Sequence, residues 1–304
     1  MHRPWKKAKS TGRRLAFARW LTRPDHPLTA RVMVNRIWQH HFGSGIVKTP
    51  GNFGKAGARP THVELLDWLA NEFVRSGWSV KSMHRLIVTS STYRQSSQVT
   101  DDALHLDPDG SLLSRMPLQR MEAEVLRDTL LFVAGQLDET PYGPADQVEV
   151  RGDGLVTSKS SQRGWRRSIY VLQRRTQIPT LLENFNYPQM GPNCIQRSES
   201  LVATQALHLM NNKMVHQLAE HFADRVRIEA GNDRSAQVES VYLRALGRRP
   251  SRAERAVAVD ALDQLTKRWI EKNTSGVNET AAAQQALITY SHAVMNLAEF
   301  LYID

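Results

Sequence analysis

The sequence predicts a mainly α protein, a multi-helix bundle with a small irregular or β insert in its centre. Three observations predict this class. Apolar residues recur at helical spacing along most of the 304 residues, glycines and prolines interrupt that spacing, and a strand pattern occurs in one central region. The 41% apolar and 23% charged content is ordinary for a folded chain. It excludes a disordered, collagen-like or coiled-coil protein.

After a basic tail or linker over 1–12, residues 13–137 form an N-terminal helical region. Gly43 and Gly77 are placed to end helices. Thr61 and Glu64 have the spacing of a capping box, which begins a helix. The predicted helices of this region cover residues 15–21, 28–42, 61–77, 80–91 and 118–137.

The central part, residues 138–200, is predicted to be irregular. Residues 168–172 have strand character, and 148–150 are their expected pairing partner. Arginines flank this strand, and we expect Glu183 and Glu199 to neutralise them. The alternative is a stacking and phosphate patch, with Trp165, for single-stranded nucleic acid or glycan.

Residues 201–304 are predicted to be a C-terminal helical region that forms one continuous domain with 13–137. Ser251 and Glu254 repeat the capping-box spacing. The expected helices cover residues 204–228, 235–246, 251–272 and about 283–301.

The positive charge of the chain is concentrated near its N-terminus. Residues 1–60 contain thirteen Lys or Arg and one acid, Asp25, and carry +12, whereas the remaining residues carry −2. This asymmetry indicates either a solvated basic face with internal ion pairs, or a site for nucleic acid or another polyanion. The candidate polyanion contacts are Arg13, Arg14, Arg31, Arg166 and Arg167.

Candidate catalytic residues concentrate on the 28–42 helix. Asn35, Arg36 and His40 give it a polar surface, where His40 would be a general base if it faced a cleft. His62 lies at the first turn of the next helix and would suit an anion. Cys194 is a candidate nucleophile. The alternative for all five residues is a structural or surface role.

Several chemistries are excluded by missing motifs. A single cysteine excludes an internal disulfide, a four-cysteine zinc site and a Cys-x-x-Cys-His haem attachment. His-Glu-x-x-His, the phosphate-loop pattern and Gly-x-Ser-x-Gly are absent from the sequence. We therefore expect neither a metal site nor a cofactor in this chain. Without a long apolar run or a small-residue cleavage site, we also expect no membrane span and no signal peptide.

A series of motifs in a fixed order resembles the planctomycete-specific domain one family, domain of unknown function fifteen-fifty-three. The matching stretches are residues 13–16, 27–43, 65–70, 87–97, 116–125, 127–128, 167–170, 204–211 and 299–302.

The resemblance implies a C-terminal part of exported or periplasmic proteins that carry a cytochrome c-like domain upstream. Haem is then expected in that domain, and a cytochrome c-like domain or protein becomes a candidate partner. No catalytic residues are implied. The resemblance therefore favours a structural or interaction module of an extracytoplasmic, cytochrome-linked assembly. The alternatives are a hydrolase acting on glycans around Asn35, Arg36, His40 and His62, and a nucleic-acid or polyanion binder.

Overall fold

The computed structural model describes residues 11–189, 191, 194–272 and 278–303, so residues 1–10 of the predicted tail lie outside the described residues. Helices dominate, and each described strand has two or three residues. The mainly α class with a small β insert is confirmed. Contacts divide the chain into one compact unit that ends at Gln119 and a second, Arg120–Ile303. The role of residues 138–200 as an insert in one continuous domain stays a prediction.

The first unit has its core between three helices. Val34 and Trp38 of α2, Leu69 and Phe73 of α3, and Ile87 of α4 are buried together. They recur at the spacing that places side chains on one helix face, so the packing follows the sequence pattern. The helices α1–α5 span Arg13–Leu21, Thr29–Phe42, Val63–Arg75, Val80–Val88 and Asp101–Leu106.

Helix α1 forms where it is predicted but buries none of its residues. Leu15, Phe17 and Trp20 are 56%, 58% and 48% exposed. Successive helix positions differ by about 100°, so Leu15 and Phe17 point to nearly opposite sides of the helix. The apolar residues of α1 therefore do not form a single apolar face.

The capping box predicted at Thr61 and Glu64 does not form. Helix α3 begins at Val63, and its N-cap, His62, makes no side-chain capping bond. The Thr61 backbone N–H instead donates to the Ile46 carbonyl at 3.0 Å. Thr61 therefore makes a tertiary hydrogen bond and does not cap the helix.

The second unit contains the remaining helices and, apart from Gln119, the residues of the strands. Its largest core joins Leu130 of α6, Phe222 of α9, Val241 of α10, Leu262 of α11 and Leu287 of α12, all essentially without solvent exposure. The helices α6–α13 span Ala123–Val133, Thr180–Asn184, Ala203–Asn211, Lys213–Ala230, Arg234–Ala245, Arg252–Lys272, Glu279–Val294 and Ala298–Leu301. The strands β1–β6 span Gln119–Arg120, Leu137–Asp138, Val148–Val150, Val156–Ser158, Trp165–Arg166 and Tyr302–Ile303.

Two predicted helices are interrupted. The helix expected over 118–137 is confined to Ala123–Val133, because Met121 N–H donates to the Leu301 carbonyl at 2.9 Å and Gly135 has a φ of 70°. The helix expected over 204–228 breaks at Asn212. Its backbone is extended there, and its side chain accepts from the backbone N–H of Met214 at 2.8 Å, which caps α9.

The expected strand over 168–172 is wrong. Ser168–Tyr170 forms a 3₁₀ turn, and the strand precedes it at Trp165–Arg166, parallel to Leu137–Asp138. Val148–Val150 pairs with Val156–Ser158 as an antiparallel hairpin. Among the described residues, no helix combines the length and apolarity needed to cross a bilayer.

The capping box predicted at Ser251 and Glu254 is confirmed. Ser251 N–H donates to Glu254 Oε2 at 2.7 Å, and Glu254 N–H donates to Ser251 Oγ at 3.2 Å. Arg248 also donates to both Glu254 carboxylate oxygens, at 3.0 and 2.7 Å. These hydrogen bonds, with that from Arg248 the largest, lower the pKa of Glu254 to about 2.

We expect the Glu254→Gln variant to lose less stability in acid than the native chain does. The folded pKa lies below the unfolded value of about 4.3, so this stabilisation is complete above that value and is lost as pH falls towards about 2. Urea unfolding measured between about pH 6 and about pH 2 should give a flatter acid limb for the variant than for the native chain. Glu271→Gln is the control, because this exposed residue of α11 makes no ion pair with a described residue. Equal acid limbs in the native chain and Glu254→Gln would contradict the assignment.

Candidate functional site

Asn35 is completely buried and both ends of its amide are occupied. Its Nδ2 donates to the Val47 carbonyl at 3.1 Å, and its Oδ1 accepts from the Val47 backbone N–H at 2.8 Å. The chain comes so close at Gly45 that a Cβ there would lie 2.6 Å from Asn35 Nδ2. Asn35 therefore holds the 45–47 segment against α2.

The other residues of the predicted hydrolase site do not join Asn35 by hydrogen bonds among the described residues. Arg36 and His40 are exposed on α2. His62 is half-buried, with its Nδ1 3.0 Å from Thr61 Oγ1. Cys194 belongs to the second unit, where it is exposed and its Sγ donates to the Gln196 carbonyl at 3.3 Å. Catalytic roles for these residues stay predictions.

The candidate polyanion contacts differ in their availability. Arg31 donates to Asp67 at 2.6 Å, and Arg166 is buried, donates to Asp146 at 2.7 Å and lies over the Tyr170 ring. Arg13 and Arg14 are exposed and make no ion pair with a described residue. A polyanion site stays a prediction that rests mainly on these two residues.

The carboxylates that pair with the central arginines are not the predicted ones. Arg166 pairs with Asp146, and Arg167 with Asp128 through Nε and Oδ2 at 3.3 Å. The expected partners Glu183 and Glu199 make no ion pair with a described residue. Asp146 lies near Arg166 because Asp146 bridges to Val171 in parallel, which continues the small β insert.

A buried arginine that is not among the predicted site residues lies beneath this cluster. Arg127 of α6 is 2% exposed, and it donates to Ser158 Oγ at 2.7 Å, Ser168 Oγ at 3.2 Å and the Arg166 carbonyl at 3.0 Å. Burial lowers the pKa of Arg127 to about 10, so the guanidinium remains charged near neutral pH. Arg127 thus ties α6 to β4 and to the Ser168–Tyr170 turn.

Two carboxylates lie one helical turn apart on α6, and both are held by fixed donors. Asp128 Oδ1 accepts from the Ser168 backbone N–H and from Ser168 Oγ, each at 2.7 Å. Arg197 donates a hydrogen bond to each carboxylate oxygen of Glu124, at 2.6 and 2.8 Å. The same contact raises the pKa of Arg197. The carboxylates therefore organise the surface around α6.

A groove of about 540 Å³ runs along α6 above this network. Its walls include Phe132, 58% exposed, and Ile169, 80% exposed. Gln173 Oε1 is buried there without a hydrogen-bond partner among the described residues. We call this feature the α6 groove. It is lined by Glu124, Val125, Asp128, Thr129, Phe132, Leu137, Glu139, Arg167, Ser168, Ile169, Gln173 and Tyr187.

The lining of the α6 groove is mostly apolar, and its charged side chains carry a net negative charge. They are three carboxylates and one guanidinium. Glu139 is exposed and makes no ion pair with a described residue. Burial, followed by the charge of Glu124, raises the pKa of Tyr187, so its hydroxyl stays protonated. The groove therefore offers apolar contact beside negative charge.

A pair of histidines meets in the first unit. His41 Nε2 of α2 lies 2.7 Å from His84 Nδ1 of α4, and the Tyr93 ring packs edge-on against His41 at 5.4 Å between centroids. Burial, followed by the charges of His84 and His40, lowers the pKa of His41. In the described residues, no group of three or more His, Cys, Asp and Glu is arranged to hold a metal ion.

Sequence spacing could not predict the contact within the histidine pair or the contacts of Arg127. His41 and His84 are separated by 43 residues, and Arg127 and Ser168 by 41. One signal did exist, because residues 127–128 and 167–170 are among the motifs that carry the family resemblance. The structure places these two motifs in contact.

Comparison with known proteins gives a family but no described function. The model of the PSD1 family, described as a protein of unknown function (DUF1553), matches residues 13–262. No curated protein and no solved structure matches this chain.

Proposed function

We propose that this chain, which belongs to the PSD1 family of unknown function (DUF1553), is an interaction module whose α6 groove binds a segment of a partner protein. One observation supports this function best. Asp128 and Ser168 beneath the groove are hydrogen-bonded to each other, while Phe132 and Ile169 at its walls remain exposed. A rigid floor with exposed apolar walls is typical of a binding surface.

Two of the three carboxylates of the groove, Glu124 and Asp128, are poorly arranged for catalysis. A general acid or base must exchange a proton with the substrate, so it needs an oxygen that reaches the substrate. Both Glu124 oxygens accept from Arg197, and Asp128 Oδ1 accepts from two donors of Ser168. This arrangement supports a binding role over a hydrolytic one.

The occupant that fits the groove is an extended peptide with apolar side chains next to a lysine or arginine. The apolar side chains would cover Phe132 and Ile169, which removes apolar surface from water. The positive charge would lie near Glu139 and near Asp128 Oδ2, which accepts one bond from a described residue, Arg167, at 3.3 Å. A volume of about 540 Å³ accommodates a few side chains.

The partner that the resemblance supports is a cytochrome c-like domain or protein of an exported planctomycete assembly. Haem would belong to that partner. In this proposal the present chain needs no cofactor of its own. A cytochrome c-like domain of the same assembly should displace a peptide from the groove, and failure to displace it would contradict this identity of the partner but not the groove itself.

Labelled peptides test the groove directly. Three capped pentapeptides share two leucines and carry lysine, alanine or glutamate between them. We expect the lysine peptide to bind most tightly in fluorescence anisotropy, the glutamate peptide most weakly, and added salt to reduce the difference. Ile169→Asp should weaken the alanine peptide about tenfold or more, because it removes an apolar contact.

The control is Val257→Asp on α11. Val257 is 71% exposed and is not part of the groove lining. The Val257→Asp variant introduces the same charge at another exposed apolar position, so it should leave peptide affinity unchanged. Equal affinity for the three peptides, or equal losses in the two variants, would refute the groove as the binding surface.

A further inference from the structure

The His41 and His84 rings are arranged so that one nitrogen of each faces the other. At 2.7 Å, His41 Nε2 and His84 Nδ1 share one proton when both rings are neutral, one nitrogen donating and the other accepting. The rings meet at 67°, with centroids 5.0 Å apart. Neither of the facing nitrogens forms another hydrogen bond with a described residue.

We propose that His41 and His84 form a two-histidine binding site for a divalent transition-metal ion of the zinc class, in which the ion replaces the shared proton. Neutral imidazole is the preferred nitrogen ligand of this class. Either ring nitrogen can coordinate the ion, so the mixed pairing of Nε2 with Nδ1 is suitable. This site goes beyond the proposed interaction function and against the expectation from the sequence.

The distances require only a small adjustment. Zinc lies about 2.0–2.1 Å from a histidine nitrogen, so two nitrogens in a tetrahedral site are about 3.3 Å apart. The present separation is 2.7 Å and must widen by about 0.6 Å. His84 is exposed on α4 and has room to move.

His41 provides the fixed side of the site. Tyr93 packs against the His41 ring, and the His41 backbone carbonyl accepts from Gln119 Nε2 at 2.9 Å. When the ion binds, the shared proton moves to the outer nitrogen of the ring that carried it, so both rings stay neutral. With two protein ligands, water fills the remaining coordination positions.

Titration of the metal-free full chain with zinc chloride, followed by calorimetry, tests the site. The experiment uses the Cys194→Ser background, because Cys194 is exposed and a cysteine thiolate is a zinc ligand in general. We expect one zinc ion per chain, and His84→Ala should weaken binding at least tenfold. Addition of cobalt should give the visible absorption of a site with nitrogen ligands, and His84→Ala should abolish it.

His105→Ala is the matched control. This histidine is exposed on α5 of the same unit, so its removal should leave zinc affinity unchanged. His84→Ala also avoids the half-buried His41 and should fold normally, which its circular dichroism spectrum would verify. Absence of zinc binding, or equal affinity in His84→Ala and the Cys194→Ser parent, would overturn the proposal and leave a simple hydrogen bond between the histidines.

Discussion

Replacement of Arg127 by methionine should lower the free energy of unfolding of this chain by about 3–5 kcal/mol, since a buried hydrogen-bonding group left unpaired costs about 1–3 kcal/mol. Methionine fills similar space but donates no hydrogen bonds. Ser158 Oγ, Ser168 Oγ and the Arg166 carbonyl would each lose a donor inside the protein. The buried oxygens would then bear an uncompensated desolvation cost. Urea unfolding followed by circular dichroism measures the change.

The matched control for this variant is Arg167→Ala. The Arg167 side chain is 60% exposed and contacts Asp128 at 3.3 Å, and an exposed ion pair contributes about 0–1 kcal/mol. Arg127→Lys should fall between the two, since lysine keeps the charge but lacks the guanidinium fork. Equal stability of Arg127→Met and Arg167→Ala would contradict the buried network.

The same variant connects the network with the groove. Ser168 and Ile169 line the α6 groove, and Arg127 holds their turn from below through Ser168 Oγ. A loosened turn costs binding energy because the peptide must then order it. Any Arg127→Met protein that remains folded should therefore bind the lysine peptide more weakly than the native chain does.

Asn35→Ala should destabilise the first unit by on the order of 3 kcal/mol, because each buried group left unpaired costs about 1–3 kcal/mol. Asn35 satisfies both the N–H and the carbonyl of Val47. Alanine leaves both groups buried and unpaired. Tryptophan fluorescence during urea unfolding is a suitable measurement, since Trp38 is buried in the core of this unit.

Arg36→Ala is the control for Asn35. Arg36 is its neighbour on α2, is exposed and makes no ion pair with a described residue, so its loss should change stability by less than about 0.5 kcal/mol. An Asn35→Ala chain as stable as Arg36→Ala would contradict the structural role. It would also make Asn35 again a candidate catalytic residue of the predicted glycan hydrolase.

Features that depend on neighbouring residues along the chain were predictable. The helix expected over 28–42 is observed as Thr29–Phe42, because its apolar spacing and the glycine that follows are local signals. The capping box at Ser251 and Glu254 forms for the same reason. The similar pattern at Thr61 fails because the backbone N–H of Thr61 is taken by the Ile46 carbonyl, from a different part of the chain.

The amino-acid order by itself determined that this protein is built of helices, where most of them lie, and, through a series of motifs, the family to which it belongs. Tertiary structure decided which carboxylate pairs with each arginine, which histidines meet, and where apolar side chains remain uncovered. The physical reason is the range of the interactions. Helix formation depends on residues within a few positions, whereas the Arg127 network and the His41–His84 contact join side chains that only packing brings together.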